Sequence, residues 1–172
     1  MTTTTISLEG SKTDVIRSVE EFIKDHGFTI VSKDAERPWG GFLVLDEAQA
    51  AKFANEFFPG IEVGSLRIGG KLSPKILMVQ PGKRLSWQYH HRRAEIWRLI
   101  AGTAGVATSA TDQVGPTKKM TVNEVVRLNQ GQRHRLVGLE GWGIIAEIWQ
   151  HTDASKPSDE SDIVRVQDDF GR

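Results

Sequence analysis

Pro81-Gly82-Lys83-Arg84-Leu85-Ser86-Trp87-Gln88-Tyr89-His90-His91-Arg92-Arg93-Ala94-Glu95-Ile96-Trp97 is the stretch that decides the fold. Pro-Gly marks a turn, Leu85 to His91 reads as a strand, and a second strand-like run opens at Glu95 after the turn His91-Arg92-Arg93-Ala94. Side chains two apart on a strand leave from one face, so Gln88 and His90 can share an ion. An antiparallel return brings the Glu95 carboxylate opposite that pair. A further group has to come from a remote strand, and His134 follows Gly131 by three residues at the start of the strand-like run His134 to Val137. Imidazole, carboxylate and amide oxygen suit zinc, manganese, iron, nickel or cobalt, whereas two imidazoles disfavour calcium and magnesium. The expected site is one divalent ion held by Gln88, His90, Glu95 and His134.

Outward from this hairpin the same cadence continues. From Lys71 on, short apolar or alternating runs (Ile76 to Val79, Leu85 to His91, Glu95 to Ile100, Glu124 to Leu128, Ile144 to Trp149) are separated by Gly, Pro, Asn and Asp, as in an antiparallel β-barrel or sandwich. Upstream the period changes to that of a helix. Val15, Ile16, Val19, Phe22 and Ile23 recur at helical spacing between Ser11 and Gly27, with Ser11 and Asp14 as a capping box. Ala50, Phe53, Ala54 and Phe57 predict a second helix between Asp46 and Phe58, stopped by Pro59-Gly60. The fold class is mainly β, and the expected division is a helical extension over 1–36 and a barrel over 37–172.

Composition narrows the partners. A chain of 172 residues fits one domain. Twenty-two basic residues balance twenty-two acidic ones, so no global field draws the chain to nucleic acid or an anionic membrane. An anionic ligand has to be caught by a local cluster of cations. The absence of cysteine excludes disulfides, thiolate metal sites and a cysteine nucleophile. The opening Met-Thr-Thr-Thr-Thr lacks the features of a signal peptide, and no apolar run approaches the ~20 residues of a membrane span, so the expected location is the cytoplasm.

Gly82, five residues, Gln88, one residue, His90, four residues, Glu95, six residues, Gly102 resembles the first motif of the cupin superfamily, and Gly131-Gln132-Arg133-His134 its second. Arg37-Pro38-Trp39-Gly40, Arg93-Ala94-Glu95, Trp97, His134-Arg135-Leu136, Glu147 and Asp162-Ile163-Val164-Arg165 are similar to the cupin domain of type II phosphomannose isomerases. That resemblance implies a jelly-roll barrel, zinc as the usual ion, and interconversion of mannose 6-phosphate and fructose 6-phosphate. In such a reaction the metal stabilises an enediolate while a base moves the proton between adjacent carbons. Glu147, His91 and Lys75 are the candidates for that acid-base work, with Arg93 beside them, and no spacing selects among them. Arg93, Arg165 and the terminal Arg172 are the expected phosphate partners. A cupin of this kind, with an amphipathic helix to spare, is expected to form a homodimer. Two rivals keep the barrel: a non-catalytic sugar- or sugar-phosphate-binding cupin, and an iron-dependent cupin oxygenase.

Two expectations concern single residues. On a regular strand His91 faces away from His90, so it is as well placed for the surface as for catalysis. Trp39, Trp87, Trp97, Trp142 and Trp149 read as core or interface rather than as a sugar-stacking platform.

Overall fold

The computed structural model describes residues 5–62 and 71–171. The first helix, α1 (Lys12–Asp25), starts where its sequence dictates. Ser11 accepts from the Asp14 backbone while Asp14 answers to the Ser11 backbone, so the capping box is complete. Its apolar stripe, Val15, Ile16, Val19 and Ile23, is buried against the sheet. The second helical stretch divides: Asp46 caps a 3-10 turn (Glu47–Gln49), which leads into α2 (Ala50–Phe57).

Strands β1 (Ile30–Arg37), β2 (Gly40–Leu45), β3 (Lys75–Val79), β4 (Trp87–Tyr89), β5 (Arg93–Ser109), β6 (Thr117–Lys119), β7 (Val125–Leu128), β8 (Arg133–His151) and β9 (Val164–Gln167) form one antiparallel sheet. Its order is β1-β2-β3-β8-β4-β9, with β5 pairing β6, β7 and β8. The two long strands give the sheet its curl. The first part of β5 runs against the last part of β8 (Glu95 opposite Trp149), and register shifts near Leu99 to Ala104 bend the pair. The last part of β5 then runs against the first part of β8 (Thr108 opposite His134). At the bend Gly102 has φ +78°, and a Cβ there would lie 1.9 Å from the Trp142 carbonyl oxygen, so glycine alone fits.

Strand parity then divides the core. Ile76, Met78, Ile96, Ile144, Ala146 and Ile148 point outward, under α1 and α2, where they meet Val15, Phe53 and Phe57. Leu77, Val79, Trp97, Leu99 and Ile145 point inward with Trp39, Leu85 and Leu136. Both faces of the central strands are thus dry, which is why they read as continuous apolar runs rather than as alternation. Lys75, Glu95, Glu147 and Trp149 share the inward parity, and this carries polar groups into an otherwise apolar barrel.

The mainly-β barrel with accompanying helices stands as expected. Elements differ in extent. Glu95 to Ile100 is the start of a 17-residue strand, His134 to Val137 and Ile144 to Trp149 belong to one strand of 19, and Leu85 to His91 shrinks to Trp87–Tyr89. Strand β1 falls inside the stretch expected as a helical extension. Its mostly exposed, polar side chains carry little apolar period, and pairing with β2 makes it a strand. Among the described residues no helix is long and apolar enough to cross a membrane.

Candidate metal centre

Strand β4 contributes Gln88, directly opposite His134 of β8, and His90 follows one residue past the end of that strand. Glu95 enters from β5, two residues past its start. His90, Glu95 and His134 are buried, and their ligand atoms all lie within 4.8 Å of one another. His134 Nε2 stands 3.0 Å and His90 Nε2 3.6 Å from Glu95 Oε1.

The other ring nitrogens are held by the backbone. His90 Nδ1 donates to the Asp162 carbonyl oxygen at 2.7 Å, and His134 Nδ1 to the Gln132 carbonyl oxygen at 3.0 Å. Each imidazole is therefore fixed with its Nε2 lone pair facing Glu95, the arrangement that metal-binding histidines adopt. Burial holds His90 below the ordinary histidine value, which favours the neutral ring. Burial alone would raise the Glu95 carboxyl, but the pull of His90 and Arg93 outweighs it and holds it well below the ordinary range.

Glu95 Oε1 and His134 Nε2 are buried and have no hydrogen-bond partner among the described residues. Such atoms are costly in a folded interior, and a divalent cation between them satisfies both. The donor set fits zinc or a neighbouring transition metal. Gln88 lines the same pocket, with its Oε1 accepting from Ser86 Oγ at 2.7 Å, so one lone pair remains for an ion.

The pocket above these groups encloses about 90 Å³. Of the residues expected to do acid-base or phosphate work, it brings together Lys75, Arg93, Glu147 and Arg165. His91 does not line it: the side chain is exposed and its ring meets the edge of Tyr89. Arg172 lies outside the described residues. Arg93 is committed to the scaffold, donating to Glu95 Oε2, His90 Nε2, Ser158 Oγ and the Asp159 carbonyl while its guanidinium lies 3.6 Å over Trp149. Lys75 is paired with Glu160 and stacked over Phe42 and Trp149.

Glu147 accepts from Trp97 Nε1 at 2.7 Å and Trp149 Nε1 at 2.9 Å. Burial pushes its carboxyl up to about 8, reinforced by the Glu95 charge and opposed by Lys75, Arg93 and Trp97. At neutral pH it is a carboxylic acid, able to donate a proton or hydrogen bond to a ligand oxygen. The tryptophans are buried as expected, yet Trp39, Trp97 and Trp149 also line the pocket.

Residues that spacing did not single out hold this arrangement together. Asp162 accepts from the His91 and Arg92 backbone N–H groups, both at 3.0 Å, and from Ser158 Oγ at 2.6 Å. It thereby ties the segment after β8 to the β4–β5 turn. Burial would raise its carboxyl, but the hydrogen bonds from Ser158, His91 and Arg92 win and bring it to about 2. Ser158 and Glu160 sit in a polar loop with no period, and only their tertiary neighbours give them a role, whereas Asp162 opens the stretch whose resemblance was noted without a site role.

Comparison with known proteins gives the family and the fold. The family model described as mannose-6-phosphate isomerase C-terminal matches residues 53–168. The chain belongs to that family. A mannose-1-phosphate guanylyltransferase from Salmonella montevideo is 29% identical over 160 residues, covering 92% of this chain and 28% of that protein. One from Salmonella typhimurium is 34% identical over 140 residues, covering 81% of this chain and 23% of that protein. The alginate biosynthesis protein AlgA of Pseudomonas aeruginosa is 29% identical over 164 residues, covering 92% of this chain and 28% of that protein. The chain thus spans about a quarter of the length of these relatives. Among solved structures, a recombinant oxalate oxidase in complex with glycolate aligns with TM-score 0.51 and 16% identity, covering 77% of this chain and 58% of that one, a likeness of fold.

These relatives correct the reaction expected from the sequence. Two of the three are named guanylyltransferases, and nucleotidyl transfer is not aldose-ketose isomerisation, so the isomerase expectation falls even though the family model carries that word. With it falls the assignment of Glu147, His91, Lys75 and Arg93 to proton transfer between sugar carbons.

Proposed function

We propose that this member of the mannose-6-phosphate isomerase C-terminal family holds one divalent ion at His90, Glu95 and His134, with Gln88 as a further ligand, and binds a phosphorylated mannose derivative above it. Zinc is the first candidate, with manganese, iron, nickel and cobalt next. The observation that carries the reading is the pair of buried, unpartnered atoms, Glu95 Oε1 and His134 Nε2, aimed at one point between two oriented imidazoles. When bound, the ion supplies a Lewis acid for hydroxyl or phosphate oxygens.

The chain's own residues supply the rest. Arg37, Lys75, Arg93 and Arg165 line the pocket with Glu95, Glu147 and Glu160, and Glu147 is uncharged at neutral pH. Cations therefore outnumber anions around the cavity, which favours an anionic ligand. Trp39, Trp97 and Trp149 add apolar walls against which the faces of a pyranose ring can lie. The names of the two guanylyltransferases point to mannose 1-phosphate as the sugar phosphate to try first, and to carbohydrate metabolism as the setting. Guanylyl transfer is named for whole proteins of which this chain spans about a quarter, so the proposal concerns the sugar-phosphate site alone.

Elemental analysis after zinc loading and dialysis, followed by calorimetric titration of mannose 1-phosphate into loaded and stripped protein, tests it. One equivalent of metal and tighter sugar-phosphate binding to the loaded form are expected. Absence of bound metal, or equal loading of Glu95→Gln and wild type, overturns the reading.

A further inference from the structure

Lys75 stands where β3 faces Glu147 of β8, and its side chain is only 6% exposed. A buried ammonium needs acceptors for three protons. Among the described residues its hydrogen-bonding partner is Glu160, with the rings of Phe42 and Trp149 4.6 and 4.4 Å from Nζ. The Glu160 side chain is 59% exposed and lines the same pocket as Glu95 and Gln88. A buried, aromatic-walled cation is thus answered by a carboxylate reaching in from the surface.

The backbone around Glu160 is pinned. Asp159 offers its carbonyl to Arg93 and to the Asp162 N–H, and its carboxylate caps Ser161. Asp162 is locked beneath Arg92 and Ser158. The Glu160 side chain can therefore swing out by rotamer change while the loop stays in place. The cavity that remains, about 90 Å³, is small beside the roughly 300 Å³ at the lower end of small-molecule sites. A ligand of hexose size needs the space that the Glu160 carboxylate occupies.

We propose that Lys75 is the seat for the phosphate of the ligand and that Glu160 is a built-in stand-in, occupying the seat until a phosphate displaces it. This rests on the sugar-phosphate reading above and adds how the anion is recognised. A phosphate at neutral pH carries more charge and more acceptor oxygens than a carboxylate, so it outcompetes Glu160 for the ammonium. Glu160, released, regains solvent at small cost because its side chain is already 59% exposed. A neutral sugar offers Lys75 nothing better than Glu160, and the seat stays closed to it. The stand-in therefore selects phosphorylated over unphosphorylated ligands and spares Lys75 an unpaired burial when the site is empty.

Calorimetric titrations of inorganic phosphate, mannose 1-phosphate and mannose into wild type, Glu160→Gln and Lys75→Met test the proposal, with bound metal measured on each sample. Removing the competing charge in Glu160→Gln should tighten phosphate and mannose 1-phosphate binding by about tenfold and leave mannose unchanged. Lys75→Met should weaken both phosphate ligands at least about tenfold. Phosphate affinity unchanged or weakened in Glu160→Gln overturns the proposal. That exposed substitution decides alone should Lys75→Met not fold. Failure of the metal centre registers separately, as absent metal in wild type, while the ratio of Glu160→Gln to wild-type phosphate affinity still reports on the seat.

Discussion

Replacing Asp162 with Asn probes the knot that positions His90. The wild-type carboxylate accepts three hydrogen bonds, from the backbone N–H groups of His91 and Arg92 and from Ser158 Oγ, and its side chain is fully buried. An amide keeps one acceptor oxygen and turns an NH₂ group toward at least one of those donors. A bond to a charged acceptor contributes about 1.5–3 kcal/mol, so losing one of them and the charge on the others should cost about 3 kcal/mol. For a chain of this size that is a fall in Tm of about 6–12 °C. Because the Asp162 carbonyl also orients His90, affinity for zinc should fall about 10- to 100-fold.

The pH dependence carries a sign of its own. The folded value of Asp162 is about 2 against an ordinary 3.8, so its contribution is complete above pH 3.8 and is lost as pH falls through 2. The Tm difference between wild type and Asp162→Asn should therefore be constant near neutrality and narrow in acid. Differential scanning calorimetry across pH and competitive metal titration give both readouts. A variant within about 2 °C of wild type at neutral pH, with unchanged zinc affinity, would refute the reasoning.

Other outcomes follow from single contacts. Glu147, raised from 4.5 to about 8 by burial, binds a proton in the fold that the unfolded chain has lost, so metal-stripped wild type should lose up to about 1.4 kcal/mol per pH unit across that interval. Glu147→Gln should lack this slope, and parallel urea-unfolding profiles for the two proteins would contradict the assignment. Ser86→Ala frees the Gln88 amide from its hydroxyl and should lower zinc affinity about tenfold or more if Gln88 is a ligand; unchanged affinity assigns Gln88 to the barrel wall. Gly102→Ala sets a Cβ 1.9 Å from the Trp142 carbonyl at φ +78° and should cost about 3 kcal/mol or more in chemical denaturation, whereas a wild-type midpoint would show that the β5 bend relaxes freely.

The helix over Lys12–Asp25 was legible because capping and apolar spacing are local, and Ser11, Asp14, Val15 and Ile23 act within a few turns of one another. The clustering of the ligand-type residues was legible for a similar reason. Gln88, His90 and Glu95 lie on one short hairpin, and His134 follows a glycine turn, so two nearby patterns sufficed. Strand β1 was not legible, since its polar residues become a strand only through pairing with β2. Nor were the long spans of β5 and β8, where Gly102 and Gly143 look like breaks in sequence and serve as the bend in the structure. The reaction expected from the resemblance went wrong because the shared motifs describe a barrel and its buried polar cluster, and one such barrel serves different chemistries.

By itself the sequence determined the class of fold, the first helix and the four ligand-type residues, all of which follow from backbone periodicity and short-range spacing. Only the tertiary structure decided which charged groups meet. It buried Lys75 between two aromatic rings and brought Glu160 to it, committed Arg93 to the scaffold, left His91 outside, and set Glu147 between two indoles. These outcomes depend on groups distant along the chain sharing one water-poor space, where desolvation and Coulomb terms reach strengths that no local pattern encodes.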